Sequence, residues 1–180
     1  MDNKHMINTE EKTYEEAVIS IDRVARVVKG GRRFRFKALV VVGDKKARVG
    51  VGVAKGSDVQ TAITKATSVA KKQMHDIPLA KSTIPHDTDA KVGGSKVLLK
   101  PATPGTGIIA GGTVRAILNT TGIHNILSKS LGSTNKVNTA YATIEALTKL
   151  RPKNEWVTSD GTESKSKKTP KTVENTEEKK

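Results

Sequence analysis

The chain has 180 residues, enough for one domain of ordinary size or two small ones with a real core. Its 32 lysines and arginines against 18 aspartates and glutamates give a formal net charge of +14, and a field of that sign attracts polyanions, either nucleic acid or an anionic membrane surface. The sequence has no cysteine, which excludes disulfides, thiolate metal sites and cysteine nucleophiles and fits a reducing cytoplasm, and no run approaches the ~20 apolar residues of a membrane span.

Residues 1–17 read as a flexible arm; they carry acids and have neither a signal-peptide core nor an Arg-rich, acid-poor transit pattern. Residues 18–28 alternate as a strand, with Ile19 and Ile21 on one face and Ser20 and Asp22 on the other. Lys29, Gly30, Gly31 and Arg32 signal a turn. In the next strand Phe34, Phe36 and Ala38 share one side and Arg33, Arg35 and Lys37 the other, and both phenylalanines are expected to fill the core. Residues 39–42 continue as an apolar run, residues 43–46 turn, and residues 48–54 form a third strand with Val49, Val51 and Val53 facing in, which makes an antiparallel meander.

Ser57, Asp58, Val59 and Gln60 read as a capping box. Behind it Val59, Ala62, Ile63, Ala66, Val69, Ala70 and Met74 recur at helical spacing, while Lys65 and Lys72 share an exposed flank. Pro78 and Pro85 interrupt the pattern and place a boundary between residues 77 and 82. A second unit then opens with a hairpin: a strand near residues 82–88, a Gly93-Gly94 turn and a strand over residues 96–100. A glycine loop leads to a helix over residues 112–121 ended by Gly122, a strand over residues 125–131, and a last helix capped within residues 132–135. Residues 158–180 hold almost no apolar side chain and are expected to be a disordered tail. The expected fold class is α+β: a β-β-β-α domain over residues 18–77, then a small β-α-β domain over residues 82–151, with disordered tails.

The loop Gly105-Thr106-Gly107-Ile108-Ile109-Ala110 satisfies the loose dinucleotide fingerprint G-x-G-x-x-G/A. That fingerprint wants an acid about twenty residues on, and none occurs before Glu145. A P-loop wants Gly-Lys-Ser/Thr, but this segment ends Gly111-Gly112-Thr113. The cluster His86, Asp87, Asp89 is no recognisable metal set, His124 reads as a loop or packing residue, and no serine has a base partner. The expectation is therefore no catalytic residue, no metal and no cofactor.

Where the charge sits points elsewhere. From Arg23 to Ser57 the only acid is Asp44, set against Arg23, Arg26, Lys29, Arg32, Arg33, Arg35, Lys37, Lys45, Lys46, Arg48 and Lys55. Residues 90–144 contain no acid but hold Lys91, Lys96, Lys100, Arg115, Lys129 and Lys136. Ordinary solvated surfaces intersperse both signs. At 3%, aromatic residues are too few for a platform that stacks successive bases, so a basic, glycine-rich chain is expected to read phosphates, 2′-hydroxyls and helical shape. A β-β-β-α unit with basic loops suits double-stranded RNA. A stand-alone double-stranded-RNA-binding or chaperone-like factor and a small nucleotide-dependent enzyme are the competing readings.

Two stretches carry a resemblance: VKGGRRFRFKALVVVGD followed by RVGVGVAK over residues 28–55, and PATPGTGIIAGGTVRAILNTTGIHNILSKSLGSTN over residues 101–135. In order and spacing they closely resemble the bacterial small-subunit ribosomal protein S-five family, over residues 19–150. The resemblance implies a structural constituent of the small ribosomal subunit in the cytoplasm, neither an enzyme nor a homo-oligomer nor membrane-bound. It implies binding to 16S rRNA near the head–body junction, contact with small-subunit proteins four and eight, and a place near the mRNA path. It further implies that the first hairpin, here Arg23, Arg26, Lys29, Gly30, Gly31 and Arg32, reaches rRNA near the head and the spectinomycin site. By their charge, Arg33, Arg35, Lys55, Lys65 and Lys72 are further RNA-binding candidates. Gly105, Thr106, Gly107, Gly111, Gly112 and Arg115 would lie at or near the contact with protein four, which influences decoding accuracy. Ala54-Lys55-Gly56-Ser57 departs from the family's usual Gly-Lys-Ala, and the tail after Trp156 has no clear counterpart.

Overall fold

The computed structural model describes residues 14–152, so the tail over residues 158–180 and most of the N-terminal arm lie outside the described residues. In chain order the elements are β1 (Glu15–Val28), β2 (Gly31–Gly43), β3 (Arg48–Gly56), α1 (Val59–Lys72), β4 (Met74–Asp76), β5 (Thr88–Val92), β6 (Ser95–Pro101), β7 (Ile108–Ile109), α2 (Gly112–Thr121), β8 (Ile126–Gly132) and α3 (Lys136–Thr148). One sheet runs β1-β2-β3-β4 and the other β5-β6-β8-β7, with β7 and β8 the parallel pair. This is the expected α+β architecture, a β-β-β-α unit followed by a smaller β-α-β one.

β2 lies at the centre. Every residue from Ala38 to Gly43 is buried. Alternation sends Ala38, Val40 and Val42 against Ala62, Ala66 and Ala70 of α1. Leu39 and Val41 point the other way, into a core they share with Val97 and Leu99 of the second sheet, Ile117 of α2 and Leu147 of α3. A strand covered on both faces reads as a continuous apolar run, not an alternating one, which is why residues 38–42 contain no polar side chain. Glycines set how closely α1 approaches: a Cβ on Gly52 would run into the Ala66 carbonyl oxygen and one on Gly50 into that of Ala70. The core also crosses the proline-marked connection, since Ile77 and Ile84 belong to it while Asp76 is still paired with Arg48 in the first sheet.

The β2–β3 turn fastens onto α2. Lys45 and Ala47 take left-handed φ values of 56° and 77°. Their N–H groups donate to the carbonyls of Thr120 and Thr121 at 3.2 and 3.1 Å, satisfying helix-terminal acceptors that have no partner within the helix. Asp44 Oδ1 accepts from the N–H groups of Lys46 and Arg48 at 2.7 and 3.0 Å. The lone acid of the basic stretch is thus a turn anchor.

Several local expectations change. β1 begins at Glu15, inside the expected arm, because Glu15 pairs with Gly43. Val18 pairs with Val40 and Ser20 with Leu39, leaving Ile19 as a bulge; the phase shift buries Ser20 and leaves Ile21 43% exposed. The N-cap of α1 is Asp58, not Ser57, with Thr61 Oγ1 accepting from the Asp58 N–H at 3.2 Å, and Met74 belongs to β4. The strand expected near residues 82–88 is irregular until Thr88, consistent with Pro85 within it. Gly122, with φ of 90°, ends α2, and Asn135 Oδ1 caps α3 by accepting from the Val137 N–H at 3.1 Å.

Substituting Gly52→Ala is expected to cost more than about 2 kcal/mol, because two backbone segments must part to admit the methyl group. Gly94→Ala, whose new Cβ would meet only Ser133 Cβ at 3.4 Å, is the near-neutral control. Urea unfolding of both variants measures the difference.

Candidate nucleic-acid interface

The β1–β2 ladder outruns its sheet. β3 pairs with β2 only from Phe36 to Gly43, whereas β1 stays paired with β2 out to Val28 and Gly31. Beyond Phe36 the chain is therefore a two-stranded finger, turning at Lys29 and at Gly30, whose φ is 89°. Residues directly opposite one another share a face. On one face Val24 lies opposite Arg35 and Arg26 opposite Arg33, and the face continues through Lys37 to Lys55 on β3. Val24, Arg26, Val28, Arg33, Arg35 and Lys55 line a cleft of about 510 Å³.

No described carboxylate forms an ion pair with Arg26, Arg33, Arg35 or Lys55, and the nearby Asp22 is engaged by Lys37 at 2.9 Å. Holding these cations together on one ladder face concentrates positive potential, and guanidinium forks match phosphate oxygens in geometry. Lys29, Gly30, Gly31 and Arg32 are exposed at the tip.

The other face of the finger carries Arg23, Ala25 and Val27 opposite Phe36, Phe34 and Arg32. Here the expectation that both phenylalanines are core is corrected: Phe34 is 50% exposed. It shares a side with Phe36 and Ala38 as alternation requires, but β3 ends opposite Phe36, and only Phe36 packs against the α1 core. The Arg23 guanidinium carbon sits 3.9 Å from the Phe34 ring centroid.

The remaining candidates are not gathered into this cleft. Lys65 and Lys72 are exposed on α1, which covers the sheet face opposite to the Lys55 side. Arg115 is exposed in the first turn of α2. In the glycine segment, Gly105 and Gly107 take φ values of 96° and 74°. Their N–H groups donate to Asn125 Oδ1 at 3.0 and 3.1 Å, and Asn125 Nδ2 donates to Ser82 Oγ at 3.0 Å. Amides engaged in this way are not available to cradle a phosphate, which weighs further against a nucleotide loop. Thr106 is exposed, its Oγ1 3.2 Å from that of Thr103. A Cβ on Gly111 or Gly112 would meet nothing within 4 Å, so nothing within the described chain crowds those positions. Both line a second cleft of about 550 Å³ with Val18, Ile19 and Lys136.

Asn125 and the Arg23–Phe34 stack are the features of these surfaces that spacing in the sequence does not signal. The asparagine lies twenty residues from Gly105, and only the fold brings the two together. His86 has a structural partner, since its Nε2 accepts from the Arg151 N–H at 3.0 Å. Among the described residues no cluster of three or more His, Asp or Glu is placed to hold a metal ion.

Two family models match the chain: "Ribosomal protein S5, N-terminal domain" over residues 14–78 and "Ribosomal protein S5, C-terminal domain" over residues 90–158. The chain is 53% identical over 143 residues to "Small ribosomal subunit protein uS5" of Thermus thermophilus, covering 79% of this chain and 88% of that protein. It is 51% identical over 147 residues to the protein of the same name from Nostoc punctiforme, covering 81% of this chain and 84% of the relative.

The substitution Asn125→Leu removes the acceptor of both glycine amides and the donor to Ser82. It is expected to destabilise the fold by about 2–3 kcal/mol. Amide hydrogen exchange at Gly105 and Gly107 should accelerate by on the order of tenfold or more. Unchanged exchange there would mean that the turn holds itself.

Proposed function

This chain belongs to the ribosomal protein S5 family, whose curated relatives are small-subunit ribosomal proteins, and from that premise we propose that it binds 16S rRNA near the head–body junction as a structural, non-catalytic component. In this reading the finger enters the rRNA with Arg26, Arg33, Arg35 and Lys55 against phosphate oxygens and Lys29 and Arg32 at its tip. Lys65 and Lys72 offer a separate phosphate contact from α1. The segment from Gly105 to Arg115 faces small-subunit protein four and so bears on decoding accuracy; protein eight and the mRNA path lie nearby. The protein acts within a cytoplasmic ribonucleoprotein, without a cofactor and not as a homo-oligomer.

The observation that carries the RNA reading is the cationic face of the finger, which no described carboxylate pairs with. Its register is fixed by the buried part of the same ladder, so the backbone positions that carry these cations, and the face they share, are set before RNA arrives.

With roughly eight phosphate contacts, affinity for 16S rRNA should fall on the order of a thousandfold or more between about 50 and 200 mM salt. A flat salt dependence would contradict phosphate binding. Lys29→Glu should weaken association with rRNA, and equal affinity would refute its place at the tip. Arg115→Leu should leave the fold intact, since Arg115 is exposed, yet alter stop-codon readthrough in assembled ribosomes. Readthrough identical to that of the parent would remove the arginine from the accuracy-related contact.

A further inference from the structure

We infer that the face of the finger opposite the basic cleft is a stacking shelf for one unpaired nucleobase, formed by Phe34 and Arg23. The inference rests on the RNA-binding reading above and adds to it a second, base-directed contact. Phe34 is 50% exposed and Val27 76% exposed, on a ribbon that no third strand covers. A partner that covered Phe34 and Val27 would remove their apolar area from water. The Arg23 guanidinium carbon lies 3.9 Å from the ring centroid, so a cation already rests on the ring and adds its charge to the half-exposed aromatic surface.

Charge decides the occupant. The outer part of this face holds Arg23, Ala25, Val27, Arg32 and Phe34 and no carboxylate, and the reverse face is cationic as well. A nucleotide satisfies both requirements together, with a base for the ring and a phosphate for Arg23 or Arg32. A paired base is hidden in its stack, so the occupant is one splayed from a loop, bulge or junction. A single ring serves a single base, which is compatible with a chain that is only 3% aromatic. The ribbon then sits between two parts of the RNA, with backbone against Arg26, Arg33, Arg35 and Lys55 and one base against Phe34.

The test uses the full chain and small-subunit particles reconstituted without it. Phe34→Leu should lower affinity for these particles on the order of tenfold with the salt slope unchanged, because stacking releases no counterions. Phe34→Tyr should bind as the parent does, and Arg35→Ala should reduce the salt slope. Thermal unfolding should be nearly unaltered in the Phe34 variants. Ultraviolet cross-linking of the assembled particle, followed by mass spectrometry, should join a nucleotide to the peptide containing Phe34. Parent-like binding by Phe34→Leu together with a reduced slope in Arg35→Ala would overturn the shelf and leave the RNA reading standing. Loss of affinity in Phe34→Tyr equal to that in Phe34→Leu, or a cross-link from Phe34 to protein alone, would also overturn the shelf. Parent-like affinity and slope in both Phe34→Leu and Arg35→Ala would count against both readings.

Discussion

Between Ala38 and Gly43 β2 has no side facing water, and the register of everything paired with it follows from that double burial. Valine and alanine must meet α1 on one face while Leu39 and Val41 meet the shared core on the other. In a strand, a slip of one residue exchanges the two faces along its whole length. The same slip would turn Arg33 and Arg35 to the face that Phe34 now occupies, and Phe34 to theirs. The apolar half of the ladder therefore decides which way the cations of the finger point.

The acids are placed to leave that choice intact. Glu15, Glu16 and Asp22 of β1 pair with Lys45, Lys71 and Lys37, and Asp76 of β4 pairs with Arg48, all at or near the buried end of the first sheet. Asp44 is engaged by two backbone amides. Pairs this exposed add little to stability. Their consequence is electrostatic: the described acids of the first sheet pair with cations outside the finger, and beyond Asp22 the only charged side chains of the finger are cations. The β2–β3 turn also joins the sheet to the C-terminal end of α2, the helix whose first turn follows the glycine segment and carries Arg115.

Alternation in residues 33–38 and the apolar run after it showed which side chains share a face and that the strand is central. They did not show where the covering layers stop, so Phe34 read as core although β3 ends one alternation short of it. The bulge at Ile19 was hidden for a related reason, since valines and isoleucines lie on both sides of it and alternation tolerates either phase. At the start of α1, Ser57 with Gln60 and Asp58 with Thr61 offer capping pairs one residue apart, and the helix takes the second. The glycine turn was legible as a turn, with Gly105 and Gly107 indeed at positive φ. Its support by Asn125 was not, because that contact joins segments eighteen to twenty residues apart that meet only in the folded chain.

The central claim, that core register aims the cationic face of the finger at RNA phosphates, is tested most directly by a cryo-EM map of the small subunit containing this chain, at a resolution that places guanidinium groups. The account predicts at least three of Arg26, Arg33, Arg35 and Lys55 within roughly 2.7–3.2 Å of phosphate oxygens. Finding these groups in bulk solvent, or paired with carboxylates of a neighbouring protein, would contradict it.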